Sequence, residues 1–244
     1  MSMKQQILRK ISFLNILRSR ETGDKEENMV LGIYGSGGAG KDILSLIYTS
    51  NQKNNWEEIV FIDDVRKEKE LMNVKVMPFK EFCGTYNSEC AKIIIATGEP
   101  AFREILYSRV VEKGYRLETY IHPSVNLSEF AEIAEGVVIL NDCHISPMAK
   151  IEENVFINGY TIIGHDVKIG RHSQIASQVI VTGNTEVGEC VYIGAAASIR
   201  ERIKIGKYAI ISMGAVVLKP VDEEMKVIGN PARAIAKNEN HRVF

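Results

Sequence analysis

Residues 155–175 read VFINGYTIIGHDVKIGRHSQI, and every sixth position of that stretch, Ile157, Ile163, Ile169 and Ile175, is an isoleucine. The column continues without a failure back to Leu127 and forward through Val181, Val187 and Ile193 to Val217, sixteen hexads in all. Two places earlier runs a second column, from Val125 and Ala131 through Val155, Thr161 and Val167 to Ala215, in which every residue is small or β-branched. An α-helix repeats near 3.6 residues and a hairpin sheet alternates by two, so neither holds a six-residue register over this length. A hexapeptide coil does. Its paired positions lie two apart on a short strand and point inward, and three hexads close one triangular turn. Stacked at roughly 4.8 Å per coil, the repeats build a prism on the order of 25 Å tall. The turns between strands are polar or glycine-rich, as at Gly164, Gly170, Gly188, Gly194 and Gly206.

The rest of the chain bounds the problem. At 244 residues and 45% hydrophobic it is long and apolar enough for one large or two modest domains. With 30 Lys+Arg against 31 Asp+Glu there is no electrostatic reason to expect nucleic acid as a partner. Charged residues interrupt each apolar run short of a membrane span. Cys83, Cys90, Cys143 and Cys190 show no Cys-x-x-Cys spacing. Neither a zinc site nor a disulfide framework is expected, and a reducing cytoplasm fits. Residues 1–28 differ: Ile7, Leu8, Ile11 and Leu14 interleave with Lys4, Arg9 and Lys10 as on a basic amphipathic helix, and a polar linker, ETGDKEEN, follows. That pattern suits a helix packed on the protein, a frayed extension, or a peripheral membrane contact.

Between Met29 and Tyr120 strands and helices alternate. MVLGIY (29–34), IVFIDD (59–64) and KIIIATG (92–98) read as strands, and 38–50 and 102–113 as helices, the pattern of a small parallel sheet of Rossmann type. Gly35-Ser36-Gly37-Gly38-Ala39-Gly40 follows the first strand and opens the first helix, where free N–H groups favour a phosphate. Gly35, Gly37 and Gly38 are therefore substrate-binding candidates, as are Asp63 and Asp64, whose carboxylates could accept from a ribose or base. The same loop could be a tight strand-to-helix turn and nothing more. NAD is disfavoured because no second mononucleotide-binding half follows. The expected organisation is an extension (1–28), a Rossmann-like nucleotide-sugar-binding domain (29–121), a β-helix (122–236) and a tail (237–244).

The hexads resemble the hexapeptide-repeat acyltransferases, whose fold is a left-handed parallel β-helix. Joined to the glycine-rich loop, the Asp63-Asp64 strand end and the Ile121-His122-Pro123-Ser124 junction, they resemble the sialic-acid O-acetyltransferase and bacterial UDP-amino-sugar N-acetyltransferase family. The resemblance implies a cytoplasmic homotrimer that moves acetyl from acetyl-CoA to the amino group of a nucleotide-linked amino sugar. A sugar or sialic-acid O-acetyltransferase, or a β-helix module that binds nucleotide sugars without catalysis, are the alternatives. By the same resemblance His165 is the general base and Asp166 orients it, while Asn158 contacts substrate. Gln174 stands where those enzymes carry a second His, and Gly183 offers its amide to the thioester oxygen. Gly194, Ala195 and Gly214 line the pantetheine path, and Lys219 and Arg233 meet CoA phosphates. No metal is implied. Two departures fall in the sugar-nucleotide site: Ala39 where the family has His, and Gly98-Glu99-Pro100 where it has Gly-Asn or Gly-Asp.

Overall fold

The computed structural model describes residues 29–244, and the amphipathic pattern of residues 1–28 lies outside the described residues. The chain begins with an α/β unit: β1 (Val30–Tyr34), α1 (Gly38–Thr49), β2 (Glu58–Ile62), β3 (Glu70–Leu71), β4 (Val74–Met77), α2 (Phe79–Thr85), β5 (Ala91–Ile95), α3 (Pro100–Glu112) and β6 (Arg116–Leu117). The sheet order is β3-β4-β2-β1-β5-β6, parallel throughout except for the β3–β4 hairpin. β1 is central and buried along its whole length, which is why it reads as an unbroken apolar run: both faces of a parallel sheet are covered. The sequence-expected strands and helices are present with ends shifted by up to three residues, so Asp63 and Asp64 lie just past β2. The hairpin and α2 were not read from the sequence; each is too short to display a period.

From Tyr120 the chain winds a left-handed β-helix. Each two-residue strand pairs in parallel with the strand eighteen residues on, as in Val138↔Phe156, His144↔Ile162 and Lys150↔Lys168. Both inward columns form a single core, buried throughout except at Leu127 and Ile133 near the first coil, which are partly exposed. Two features were not anticipated. The first rung is Tyr120–Ile121, which pairs with Val138–Ile139, so the aliphatic column starts one hexad before Leu127. The corners, moreover, do not obtain their left-handed backbone from the turn glycines. A positive φ recurs every sixth residue from Gly136 to Gly214, at Asp142, Asn154, Asp166, His172, Asn184 and their equivalents. The turn glycines sit two places earlier, and their role is close approach: a Cβ on Gly170 would lie 2.6 Å from the Gly188 carbonyl carbon of the next coil.

The three faces differ in their outward residues. On the first, Tyr120, Val138, Leu140 and Phe156 pack into the core of the α/β unit with Ile33, Ile43 and Ile47. The second presents His144, Ile162, Ile180, Ser198 and Val216, with both isoleucines exposed. The third is a charged ladder, with Lys150 2.9 Å from Glu132 and Lys168 3.5 Å from Glu186. Arg103 of α3 bolts the units together. It is completely buried, and its guanidinium donates to the carbonyls of Ile95, Thr97 and Asn154 and to Asn154 Oδ1, at 2.6–3.0 Å. Among the described residues no helix is long and apolar enough to cross a membrane.

Candidate active site

His165 and Asp166 occupy the corner where the second face turns into the third. Asp166 holds the positive φ of that corner, and its Oδ2 lies 2.8 Å from His165 Nδ1. A carboxylate there accepts a hydrogen bond from Nδ1–H, which keeps the ring proton on Nδ1 and leaves Nε2 with the lone pair. The ring rests on the next coil over Gly183, where a Cβ would approach Nε2 to 2.5 Å. Gly183 is thus the residue that gives the imidazole its seat. Asn184 N–H donates to His165 O at 2.9 Å and fixes the two coils at this corner. The side chains of the pair are 64% and 51% exposed, so within one chain water screens their attraction.

Eighteen residues make one coil, so the same corner carries Gly183, Glu201 and Lys219 above His165. The opposite edge of the second face carries Asn158, then Ala176-Ser177, Gly194-Ala195 and Met213-Gly214, tied by Ala196 N–H to Ser177 O (2.9 Å) and Gly214 N–H to Ala195 O (2.8 Å). Of the residues expected to act on acetyl-CoA, Gly183 and Lys219 therefore fall on one edge of the second face and Gly194, Ala195 and Gly214 on the other. The second of these edges is lined by small residues, Ala176, Ser177, Gly194, Ala195 and Gly214. At the far end of the prism Lys219 and Arg233 line one pocket with Asp222 and the apolar Val217, Val221, Val227 and Ala232.

Gln174 is elsewhere. It lies on the first face between Phe156 and Tyr192, is 2% exposed, and its Oε1 has no partner. The face that carries it turns away from His165, so its place is beside the α/β unit. His144 projects exposed from the second face, and His172 is buried at the corner beside α3.

At the α/β unit the glycine-rich loop follows β1. Gly35 has φ 113°, and a Cβ there would lie 2.6 Å from Ala96 O; around Gly37 and Gly38 the space is open, and Gly37 caps α1 with no side-chain bond. Asp63 is committed within the protein. One oxygen accepts from Ser36 N–H and Oγ–H, the other from Val65 and Arg66 N–H at 3.0 and 2.9 Å. Burial pushes this carboxyl upward, but these bonds hold it below its ordinary range. Asp64 accepts from Phe79 N–H (2.9 Å) and Tyr34 O–H (2.7 Å). Both acids therefore brace the loops, where the sequence suggested acceptors for a ribose or base. Sequence reasoning missed Arg66, whose Nε donates to Ser36 Oγ at 2.6 Å and puts a cation over the glycine-rich loop. The signal was its place in Asp63-Asp64-Val65-Arg66. Glu99, the N-cap residue of α3, is 6% exposed and accepts from Val243 and Phe244 N–H at 3.0–3.2 Å.

A hexapeptide prism behind an α/β unit, with a histidine-acid pair at one corner, is the architecture of an acetyl-CoA-dependent acyltransferase. Residues 30–110 match the PglD N-terminal domain, and residues 148–183 match the bacterial transferase hexapeptide (six repeats). The chain is similar to the acetyltransferase domain of PglB from Neisseria gonorrhoeae, with 26% identity over 85% of this chain and 100% of that one and a TM-score of 0.80; that domain is also solved with acetyl coenzyme A. It is similar to WeeI from Acinetobacter baumannii, at 29% identity, the same coverage of both chains and a TM-score of 0.72. It shares the fold of PerB from Caulobacter crescentus, solved with CoA and GDP-perosamine, at 22% identity over 84% of this chain and 97% of that one, TM-score 0.77. The chain carries a PglD-type N-terminal domain ahead of bacterial transferase hexapeptide repeats, and it has the hexapeptide acetyltransferase fold of acetyl-CoA-dependent sugar acetyltransferases.

Proposed function

We propose that this protein transfers acetyl from acetyl-CoA to the amino group of a nucleotide-linked amino sugar destined for a surface glycan, in one direct step with His165 as general base. The observation that carries the reading is the His165 ring, held through Nδ1 by Asp166 and seated on Gly183 so that Nε2 is free. As the amine nitrogen attacks the thioester carbon, Nε2 takes its proton and Asp166 stabilises the imidazolium; collapse of the tetrahedral species breaks the C–S bond, and the proton passes to the departing thiolate. The Gly183 amide serves the developing oxyanion. Asn158 orients the acceptor, and Gly194, Ala195 and Gly214 border the pantetheine. Lys219 and Arg233 take the phosphates of CoA. On the acceptor side the open start of α1 at Gly37 and Gly38, with Arg66 above it, suits a nucleoside diphosphate.

The enzyme works as a homotrimer, since the active edge borders an apolar face that needs covering. It works in the cytoplasm, where acetyl-CoA is made; its four cysteines are free, as a reducing compartment keeps them.

The test is incubation with acetyl-CoA and UDP-, GDP-, TDP- and CMP-linked amino sugars, read by thiol release and by mass. One nucleotide amino sugar should gain a single acetyl group that survives mild alkali, as an amide does. Acetylation only of hydroxyl acceptors, with an alkali-labile product, would overturn the reading.

A further inference from the structure

The last seven residues form a strap from the end of the prism back to the α/β unit, pinned at successive positions. Asn238 is buried, its Nδ2 donating to Tyr208 O at 2.9 Å and its Oδ1 accepting from Arg242 N–H at 3.0 Å. The His241 ring stacks on Tyr208 with centroids 3.8 Å apart, and its Nε2 lies 2.6 Å from the Glu224 carboxylate. Arg242 lies over the Phe102 ring at 4.3 Å. Beyond it Val243 and Phe244 N–H are held by Glu99, and the Phe244 ring meets Tyr192 edge-on at 5.6 Å.

The strap ends where an acceptor would lie. Glu99 stands on the loop after β5, beside the glycine-rich loop after β1, and ligands of open parallel sheets bind at these carboxyl ends. Tyr192 is the rung next to Gln174, whose buried amide has one end without a partner. Phe244 is 83% exposed, so its own burial contributes little. The hold on the end of the strap comes chiefly from Glu99, a buried carboxylate accepting two backbone N–H groups.

We infer that residues 238–244, latched by Glu99, form the outer wall of the acceptor cleft and decide which sugar it takes. Phe244 and Tyr192 supply an apolar wall beside the loop that carries Glu99. This rests on the reading above that the α/β unit holds the acceptor's nucleotide.

Two variants of the full chain test it: removal of residues 238–244, and Glu99→Gln, which preserves shape while weakening the latch. Each is assayed for KM toward the acceptor, KM toward acetyl-CoA, and rank order among acceptors differing only in the sugar, with thermal melts confirming the fold. The truncation should raise acceptor KM by roughly tenfold or more or reorder the sugars, and leave KM for acetyl-CoA within about twofold, with Glu99→Gln shifting the same way by less. Unchanged acceptor KM and ranking in both variants, with only a lower melting temperature, would reduce the strap to a tie between the units. If the wild type uses no nucleotide amino sugar, the function reading fails separately, and the strap is judged by the same comparison on whichever acceptor is used.

Discussion

At the residue scale the proposed chemistry rests on one ring and its two neighbours. His165→Ala should lower kcat by roughly 10²- to 10⁴-fold, the range for a positioned general base, with acetyl-CoA affinity nearly unchanged because the side chain lies outside the inward columns. Asp166→Asn should cost less, since an amide can still hold the ring but cannot neutralise its cation. Near wild-type turnover in His165→Ala would move the search for the base to His144, as His172 is buried. Gly183→Ala is the sharper test of geometry. The new methyl would come within 2.5 Å of Nε2 and push the ring off its seat, while the backbone there needs no left-handed φ. Melting should be nearly unaffected and kcat should fall by roughly 10²-fold, the penalty for about an ångström of misplacement. The pairing of His165 with Asp166 was legible in the sequence because family resemblance singled out one histidine-acid pair; what Gly183 does for the ring was not, because the eighteen-residue coil places Gly183 above His165 but does not say which way the imidazole turns.

At the element scale the sequence disclosed the β-helix from Leu127 onward and the junction poorly, for a physical reason. A period repeated over many coils averages out local exceptions, whereas the junction depends on single side chains such as Arg103 and Asn154 that have no repeat to announce them. Asn154 shows how much one such side chain carries. Its Oδ1 accepts from Arg103, so its Nδ2 must donate, and one acceptor is His172 Nδ1 at 2.9 Å. His172 therefore needs to stay neutral, and burial pulls its pKa from 6.5 down to about 4. The unfolded chain binds this proton more readily than the folded one, so the stability is complete above the unfolded value and falls as pH drops from 6.5 toward 4. The loss should be on the order of 1–3 kcal/mol. Denaturant melts at intervals through that window should show it, and His172→Asn should flatten that part of the profile. The Glu99 latch was equally hidden: the sequence marked Glu99 as a departure, but its partners lie more than 140 residues on.

At the scale of the whole molecule, what needs an account is the second face. The first is roofed by the α/β unit and the third is a ladder of ion pairs, yet the second leaves Ile162 and Ile180 42% and 39% exposed on consecutive rungs, with Met148 and Tyr160 exposed on its two edges. Exposed isoleucines on consecutive rungs of a regular face call for a partner, and the repeated, self-similar surface of a prism suits further copies of the same chain. Three copies around an axis parallel to the prisms would cover this face. Each His165 would then stand in a groove between neighbours, where less water reaches the His165–Asp166 pair. Ile180→Arg places a charge at the centre of that face without touching either inward column, so the isolated fold should survive. Sedimentation should show the wild type as a trimer and the variant shifted to monomer. Turnover should fall with the trimer fraction, and raising protein concentration should restore part of it. A wild-type monomer with full activity, or an Ile180→Arg monomer as active as the parent, would mean that one chain holds the complete site and that the apolar face serves another purpose.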